Sequence, residues 1–463
     1  MRTSKFESVL LLLFVPLAVS MAQNPAIGNP MPFRSALIGT AAGKPVPIDL
    51  GEAAAFPENA QITLTVTLNL RNRHQLEQLI ESVHKRGTPQ YHQFLTTQEF
   101  RDRFGPPPEA IAAVTQHYQA AGLTVTRSAS AQLHVTGSAT AIERAFGVQL
   151  HSFMEAPTPT VSAHRYRAAL GPVHIPPSIA AHVQGAWGLD TRAHARSAAR
   201  QARIFPKGFG NVPDTPDLPG FWTFVDVAKY YDVEPLYQRG LEGTGRTIGI
   251  VTLASFLQSD AYAYWAKFGL NVAQDRITEI LVDGGSGPPS DQSGSLETAL
   301  DVEQSGGLAP AAKISVYEAP NTDQGWVDAF ARAVDDNLSD TISTSWVEWE
   351  VFHNIDTVRD PVTHTKNTAT LQAFDDILAQ AALQGQTVFA GAGDDGAYSA
   401  NAPFAYPLPE FTAVLSVDGP AVQRYVTAAG GTTLPGKQLF LPGGNKPPCG
   451  SPSERRARGA GTI

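Results

Sequence analysis

Apolar and polar residues alternate from Gln61 to Leu70 (Gln-Ile-Thr-Leu-Thr-Val-Thr-Leu-Asn-Leu), the period of a strand with one buried face. The pattern then changes period. His74 to Val83 has helical spacing, and Thr96-Thr-Gln-Glu99 is a capping box ahead of Phe100 and Phe104. Pro106-Pro-Pro-Glu opens a further helix that runs to Ala121 and stops at Gly122. Leu123-Thr-Val-Thr, Gln132-Leu-His-Val-Thr and Val148 to Phe153 read as strands, with a short helix from Thr140 between the last two. Mixed helices and strands of this kind predict a small α+β domain over residues 55–189, reached from a Gly/Pro/Ala-rich linker over 23–54.

Beyond residue 221 the strands become continuous apolar runs separated by helical stretches. Helical character spans Lys229 to Tyr237, and a buried strand follows the turn Gly243-Thr-Gly-Arg-Thr. Strands are then expected at 277–282, 313–317, 340–345 and 387–392, and helices at 260–269, 295–306, 325–336 and 367–384. Unbroken apolar strands joined through helices predict an α/β domain over 221–463: a mostly parallel sheet with helices on both faces. Ligands of such sheets bind at the carboxyl ends of the strands.

Between the two domains, residues 190–220 are rich in Ala, Gly and Pro and punctuated by Arg192, Arg196, Arg200, Arg203 and Lys207. A solvated linker and an exposed processing site both fit such a stretch. Residues 1–22 read as an export signal: Arg2 and Lys5, an apolar core from Val9 to Val19, and Ser20-Met-Ala22 for cleavage. Nothing later resembles a membrane span, so a secreted or periplasmic protein is expected, with no membrane contact once the signal is removed. The net charge of -9 and the lack of a basic, aromatic-interleaved patch argue against nucleic acid as a partner. With Cys449 the single cysteine of 463 residues, an intrachain disulfide or a Cys-based metal site is impossible.

The candidate chemistry centres on Ser295-Leu-Glu-Thr-Ala-Leu-Asp-Val-Glu303. Helical geometry puts Glu297 and Asp301 on one face, one turn apart. Two like charges so placed are tolerated on a wet surface, or in a buried site where they share a proton. Asp394, in Val388-Phe-Ala-Gly-Ala-Gly-Asp-Asp-Gly396, follows a predicted strand; an active-site acid and a turn aspartate before glycine fit that position equally. Ten of the 12 histidines precede residue 195, and neither His353 nor His364 follows a predicted strand. That argues against a Ser-His-Asp triad or a histidine metal site in the second domain. A hydrolase there would need a carboxylate base, which works best in acid.

These residues resemble the sedolisin family, serine-carboxyl peptidases related to kumamolisin. The first domain is similar to the family's activation domain in Thr88-Pro-Gln-Tyr-His-Gln-Phe-Leu95, Glu99-Phe-Arg-Asp-Arg-Phe-Gly105, Ala145-Phe-Gly147 and Val183-Gln-Gly-Ala-Trp-Gly-Leu189. The second is similar to the peptidase domain in Gly243-Thr-Gly-Arg-Thr-Ile, Glu297-x-x-x-Asp301-Val-Glu, Leu308-Ala-Pro-Ala-Ala-Lys-Ile, Ser343-Thr-Ser-Trp346, Gly393-Asp394-Asp-Gly396 and Ala429-Gly-Gly-Thr-Thr433. The resemblance implies a subtilisin-like fold, a zymogen and acid endopeptidase activity on peptides and proteins. It further implies contact between the activation and peptidase domains, in a protein expected to be monomeric. Glu297 falls on the family's general base, Asp301 on its orienting partner and Asp394 on the acid that stabilises the oxyanion. Trp346 would wall the site, or serve as a core aromatic.

The sequence also departs from that pattern. It contains no Gly-Thr-Ser-Ala-x-x-Pro, the motif that carries the family's nucleophile. A truncated product or a frameshift after Phe440 is expected, and with it loss of the C-terminal segment that holds calcium in complete members; no cofactor is expected for these residues. Thr252 stands where some relatives carry an acid, and Val347 where glycine is usual. The reading is therefore a secreted acid endopeptidase precursor, inactive as encoded. The alternative is a non-catalytic protein whose activation domain inhibits an intact relative or helps it fold.

Overall fold

A computed structural model describes residues 47–52, 60–155, 163–170, 173, 175–192, 195–197, 223–290, 293–349, 370–393 and 417–431. The export signal, most of the basic linker, Asp394 and the C-terminal tail lie outside these residues. Among the described residues, no helix is long and apolar enough to cross a membrane.

The first half contains β1 (Ile48–Gly51), β2 (Gln61–Leu68), α1 (Arg73–His84), α2 (Thr97–Arg103), α3 (Pro108–Ala120), β3 (Thr124–Ala129), β4 (Gln132–Ser138), α4 (Ala139–Phe146), β5 (Gln149–Glu155), β6 (His164–Leu170), α5 (Pro177–Ala180) and β7 (Val183–Trp187). Two antiparallel sheets form, of order β3-β4-β2-β7 and β1-β5-β6. The capping box is present: Thr96 accepts from the backbone N–H of Glu99, whose carboxylate accepts from the backbone N–H of Thr96. Strand β1 falls in the stretch read as linker; its pairing with β5 is a long-range contact that Ile-Asp-Leu-Gly does not announce.

The stretch read as basic linker begins differently from expectation. Arg192 is buried, with its guanidinium 4.4 Å over the Tyr166 ring and 3.7 Å from the Glu155 carboxylate. It is an anchor of the first half, because its planar cation finds a ring face and an anion together. Strand β8 (Arg196–Ser197) then pairs with residues of the second half.

The second half contains α6 (Phe224–Tyr230), α7 (Glu234–Tyr237), β9 (Thr247–Thr252), α8 (Gln258–Lys267), β10 (Ile277–Leu281), α9 (Ser295–Leu308), β11 (Lys313–Glu318), α10 (Asp323–Asp336), β12 (Thr341–Thr344), β13 (Trp346–Trp349), α11 (Thr370–Gln384), β14 (Thr387–Gly391), β15 (Asp418–Gly419) and β16 (Thr427–Ala429). The expected single helix over Lys229–Tyr237 is two short ones, because Asp232 takes a left-handed φ of 56° between them. Six parallel strands form the main sheet, in the order β10-β11-β9-β12-β14-β16. The expected α/β sheet covered on both faces is the one observed.

Neighbouring strand residues divide between two cores, as strand geometry requires. Ile250 and Val316 pack with Trp265 and Val302 on the α8/α9 side. Val251 and Tyr317 pack with Trp326, Phe330 and Phe374 on the α10/α11 side. The first half docks on this second side, where Leu76, Ile80, Val83, Phe100 and Phe104 share one cluster with Ala379, Ala382 and Leu383 of α11. Each such large apolar side chain, fully buried, contributes roughly 1.5–3 kcal/mol. Polar contacts add register: Arg73 to Asp376, Arg101 to Asp335, and the Leu95 N–H to the Leu383 carbonyl at 2.8 Å. Arg424 joins Glu77 to Asp375 but is half exposed, so its ion pairs rank well below the apolar contact.

Candidate active site

The helix α9 carries Glu297 in its first turn and Asp301 one turn on. Its start, Gly294, has a φ of 94°, a left-handed conformation that glycine adopts without strain. Its far end is held closely. The Arg276 guanidinium donates to the carbonyls of Gly306 (2.7 Å), Ala309 (2.6 Å) and Ala312 (2.7 Å), and lies 4.5 Å over the Trp265 ring. Those bonds occupy carbonyls that a helix end leaves without intrahelical donors. A Cβ on Gly306 would meet Trp265 at 2.4 Å, and one on Gly307 would meet Phe224 at 2.3 Å, so glycines let the helix sit against these rings. The position of Glu297 and Asp301 is thus set by packing at the opposite end of their helix.

Both carboxylates leave water. Glu297 is 3% exposed, and Asp301, partly buried as a residue, has its Oδ2 closed to water. Burial holds the Asp301 carboxyl well above the usual carboxylate range, the charge of Glu297 pushes it further up, and a hydrogen bond from Ser345 draws it down. Ser345 Oγ donates to Asp301 Oδ1 at 2.6 Å, while Oδ2 is buried without a hydrogen-bond partner. A proton on Oδ2 is therefore the inexpensive state. Glu297 sits where the helix N-terminus favours an anion. Of the two environments this spacing allows, the wet surface is not the one observed: Glu297 is buried and Asp301 Oδ2 is closed to water.

Ser345 did not stand out in the sequence beyond its place in Ser343-Thr-Ser-Trp346. Its signal was its position just after an apolar strand, since it directly follows β12. Thr252, the last residue of β9, is the hub of the neighbouring network. Trp346 Nε1 donates to its Oγ1 at 2.9 Å, and the Oγ1 atoms of Thr252 and Thr298 lie 2.6 Å apart. Thr298 in turn donates to the Ala254 carbonyl at 2.8 Å. Trp346, 2% exposed and part of the main core cluster, is a core aromatic that also ties α9 to the strand ends. Val347 is fully buried in β13, whose backbone pairs with Arg196 and Ser197. The residues assembled here come from the carboxyl ends of β9 and β12 and the first turns of α9, the place where parallel sheets put their sites. Gly393 closes the described run after β14, and Asp394 lies just outside it.

Glu303 is a further buried acid of the same helix. It is 1% exposed with Oε2 unpartnered, and burial together with the charge of Asp260 raises it to about 8. The folded chain then keeps a proton between pH 4.5 and 8 that the unfolded chain has released. Stability is lost as pH rises through that window, at about 1.4 kcal/mol per unit. Glu303→Gln is expected to flatten this dependence, measured as melting temperature from pH 5 to 8.5. Equal slopes in the two proteins would show that Glu303 ionises freely.

Residues 50–192 match the family model described as the pro-kumamolisin activation domain. Kumamolisin of Bacillus sp. (strain MN-32) is 32% identical over 383 residues, covering 81% of this chain and 62% of that protein. Sedolisin of Pseudomonas sp. (strain 101) is 29% identical over 389 residues, covering 80% of this chain and 60% of that protein. The chain thus spans about three-fifths of the length of these relatives. Among solved structures, the epidermin leader peptide processing serine protease of Staphylococcus aureus aligns with a TM-score of 0.37 and 11% identity, over 80% of this chain and 68% of that one.

Proposed function

The chain belongs to the sedolisin/kumamolisin family of serine-carboxyl peptidases and carries their activation domain, and from that premise we propose that it is an acid endopeptidase precursor whose base is Glu297. The observation that carries the proposal is Glu297, buried in the first turn of α9 beside the strand ends, with Asp301 one turn on and Ser345 fixed on Asp301.

In this reading Glu297 takes the proton of a serine hydroxyl as its oxygen attacks the scissile carbonyl. It then gives that proton to the leaving amine, and water hydrolyses the acyl intermediate. Asp301, protonated, orients Glu297 as the third member of a triad does, and Ser345 positions Asp301. Asp394, assigned by resemblance, donates to the developing oxyanion in its protonated form, which requires acid or a raised pKa. Peptides and proteins are the substrates, met after export directed by residues 1–22. The first domain is the zymogen's cover, seated on α10 and α11.

The 463 residues hold no Gly-Thr-Ser-Ala run to supply the serine. We infer that a protein of this sequence alone turns over no peptide. The test compares it with a version extended by the Gly-Thr-Ser-Ala-bearing segment of a family member, on a fluorogenic peptide between about pH 3 and 5. Hydrolysis is expected in the extended protein alone, and Glu297→Gln is expected to abolish it. Hydrolysis that persists undiminished in Glu297→Gln would remove Glu297 from the role of base.

A further inference from the structure

A second group of ionisable side chains lies where the two halves meet, well apart in sequence from the site. His134 comes from β4 of the first half, Asp283 from the loop after β10, and Asp328 from α10. One ligand atom from each lies within 4.8 Å of the others. His134 Nε2 is 3.2 Å from Asp328 Oδ2 and 3.8 Å from Asp283 Oδ1. Ligands bound about 2.0–2.1 Å from one tetrahedral ion are roughly 3.3 Å apart; the His134–Asp328 pair has that spacing, and Asp283 needs to move in by about half an ångström to reach it.

Two further observations point to a ligand. Asp328 is 4% exposed, yet its Oδ1 has no hydrogen-bond partner, an unusual state for a buried carboxylate. The same carboxylate is held in place: Thr65 Oγ1 donates to Asp328 Oδ2, the oxygen that faces His134, which leaves Oδ1 for a ligand, and Gln324 Nε2 donates to Thr65 Oγ1 at 3.2 Å. Such outer bonds orient metal-binding carboxylates. The two acids meet beside a single imidazole, and one divalent cation would balance both.

We propose that His134, Asp283 and Asp328 form a zinc site that fastens the first domain to the second. The imidazole and two carboxylates supply three ligands, and water completes the tetrahedron. Calcium is disfavoured, since it takes six to eight oxygens and no imidazole. Neither residues 297 and 301 nor any proteolytic activity enters this site.

The test uses the full chain, stripped with EDTA and returned to pH 7.5, where imidazole and carboxylates are free to bind. Calorimetric titration with zinc chloride is expected to show one ion per chain at low micromolar affinity or better, with a rise in melting temperature that EDTA reverses. Cobalt(II) should give the visible d–d bands of a tetrahedral site. Asp283→Asn keeps a residue that tolerates the left-handed φ of 52° at this position, so it guards against mere misfolding. It and His134→Gln should each weaken binding at least tenfold. His151→Gln, which alters the other histidine beside two acids, Asp49 and Glu52, should leave binding unchanged. Absence of stoichiometric zinc, or zinc lost in His151→Gln and kept in Asp283→Asn, overturns the proposal.

Discussion

Asp301→Asn is expected to make the chain more stable at pH 7.5 and slightly less stable at pH 4, so that the two stability curves cross. The cause is that its Oδ2 is closed to water and that the charge of buried Glu297 lies close by. Its folded pKa is raised, so the folded state holds a proton above the ordinary carboxylate range where the unfolded chain has lost it. Stability therefore falls as pH climbs from about 4. Asparagine stays neutral throughout, keeps an oxygen to accept from Ser345, and removes the repulsion. At pH 7.5 the gain is roughly 2–4 kcal/mol, the scale of an effective penalty for a buried ion. At pH 4 the amide replaces a protonated acid and leaves N–H groups short of partners, at a cost of about 1 kcal/mol. Melting temperatures of both proteins across pH 4–8 check this. Parallel curves would mean that Asp301 is charged at neutral pH and well solvated.

Trp346→Ala is expected to cost about 3–5 kcal/mol, the range for deleting a buried large aromatic. Trp346 is 2% exposed and belongs to the main core cluster, so its removal leaves a cavity against packed neighbours. Trp346→Phe separates packing from hydrogen bonding. It keeps most of the apolar surface and loses the 2.9 Å bond to Thr252, whose hydroxyl still has Thr298. The expected cost is therefore smaller, about 1–2 kcal/mol. Urea denaturation of both variants, read with an unchanged slope, measures the difference. Equal costs would mean that the indole N–H carries the whole contribution.

Periodicity alone locates most helices and strands, because each reflects a local rule. The capping box at Thr96 and the apolar strands of the parallel sheet are examples. Where a single residue overrides the pattern, sequence reading fails: Asp232 divides one expected helix by taking a left-handed conformation. Arg192 looked like part of a solvated basic run; the ring of Tyr166 and the charge of Glu155, both far back in sequence, make it an anchor. Strand β13 was likewise hidden, since its partners are the two-residue strands β8 and β15.

The pairing of Glu297 with Asp301 was legible, since a helix repeats every 3.6 residues and the spacing itself puts them on one face. Whether that face met water or protein was not. Burial depends on what packs around α9, and its rings and strand ends come from residues 224, 252, 265 and 346. The same holds for Ser345, which reaches Asp301 across 44 residues, and for His134 and Asp328, which meet across 194. The sequence by itself determined the elements, the two-part layout and the two acids on one helical turn. Only the tertiary structure decided that these carboxyls are drawn out of water, that the one on Asp301 is pushed above its usual range, and which groups hold it, because desolvation and long-range hydrogen bonds belong to the packed chain.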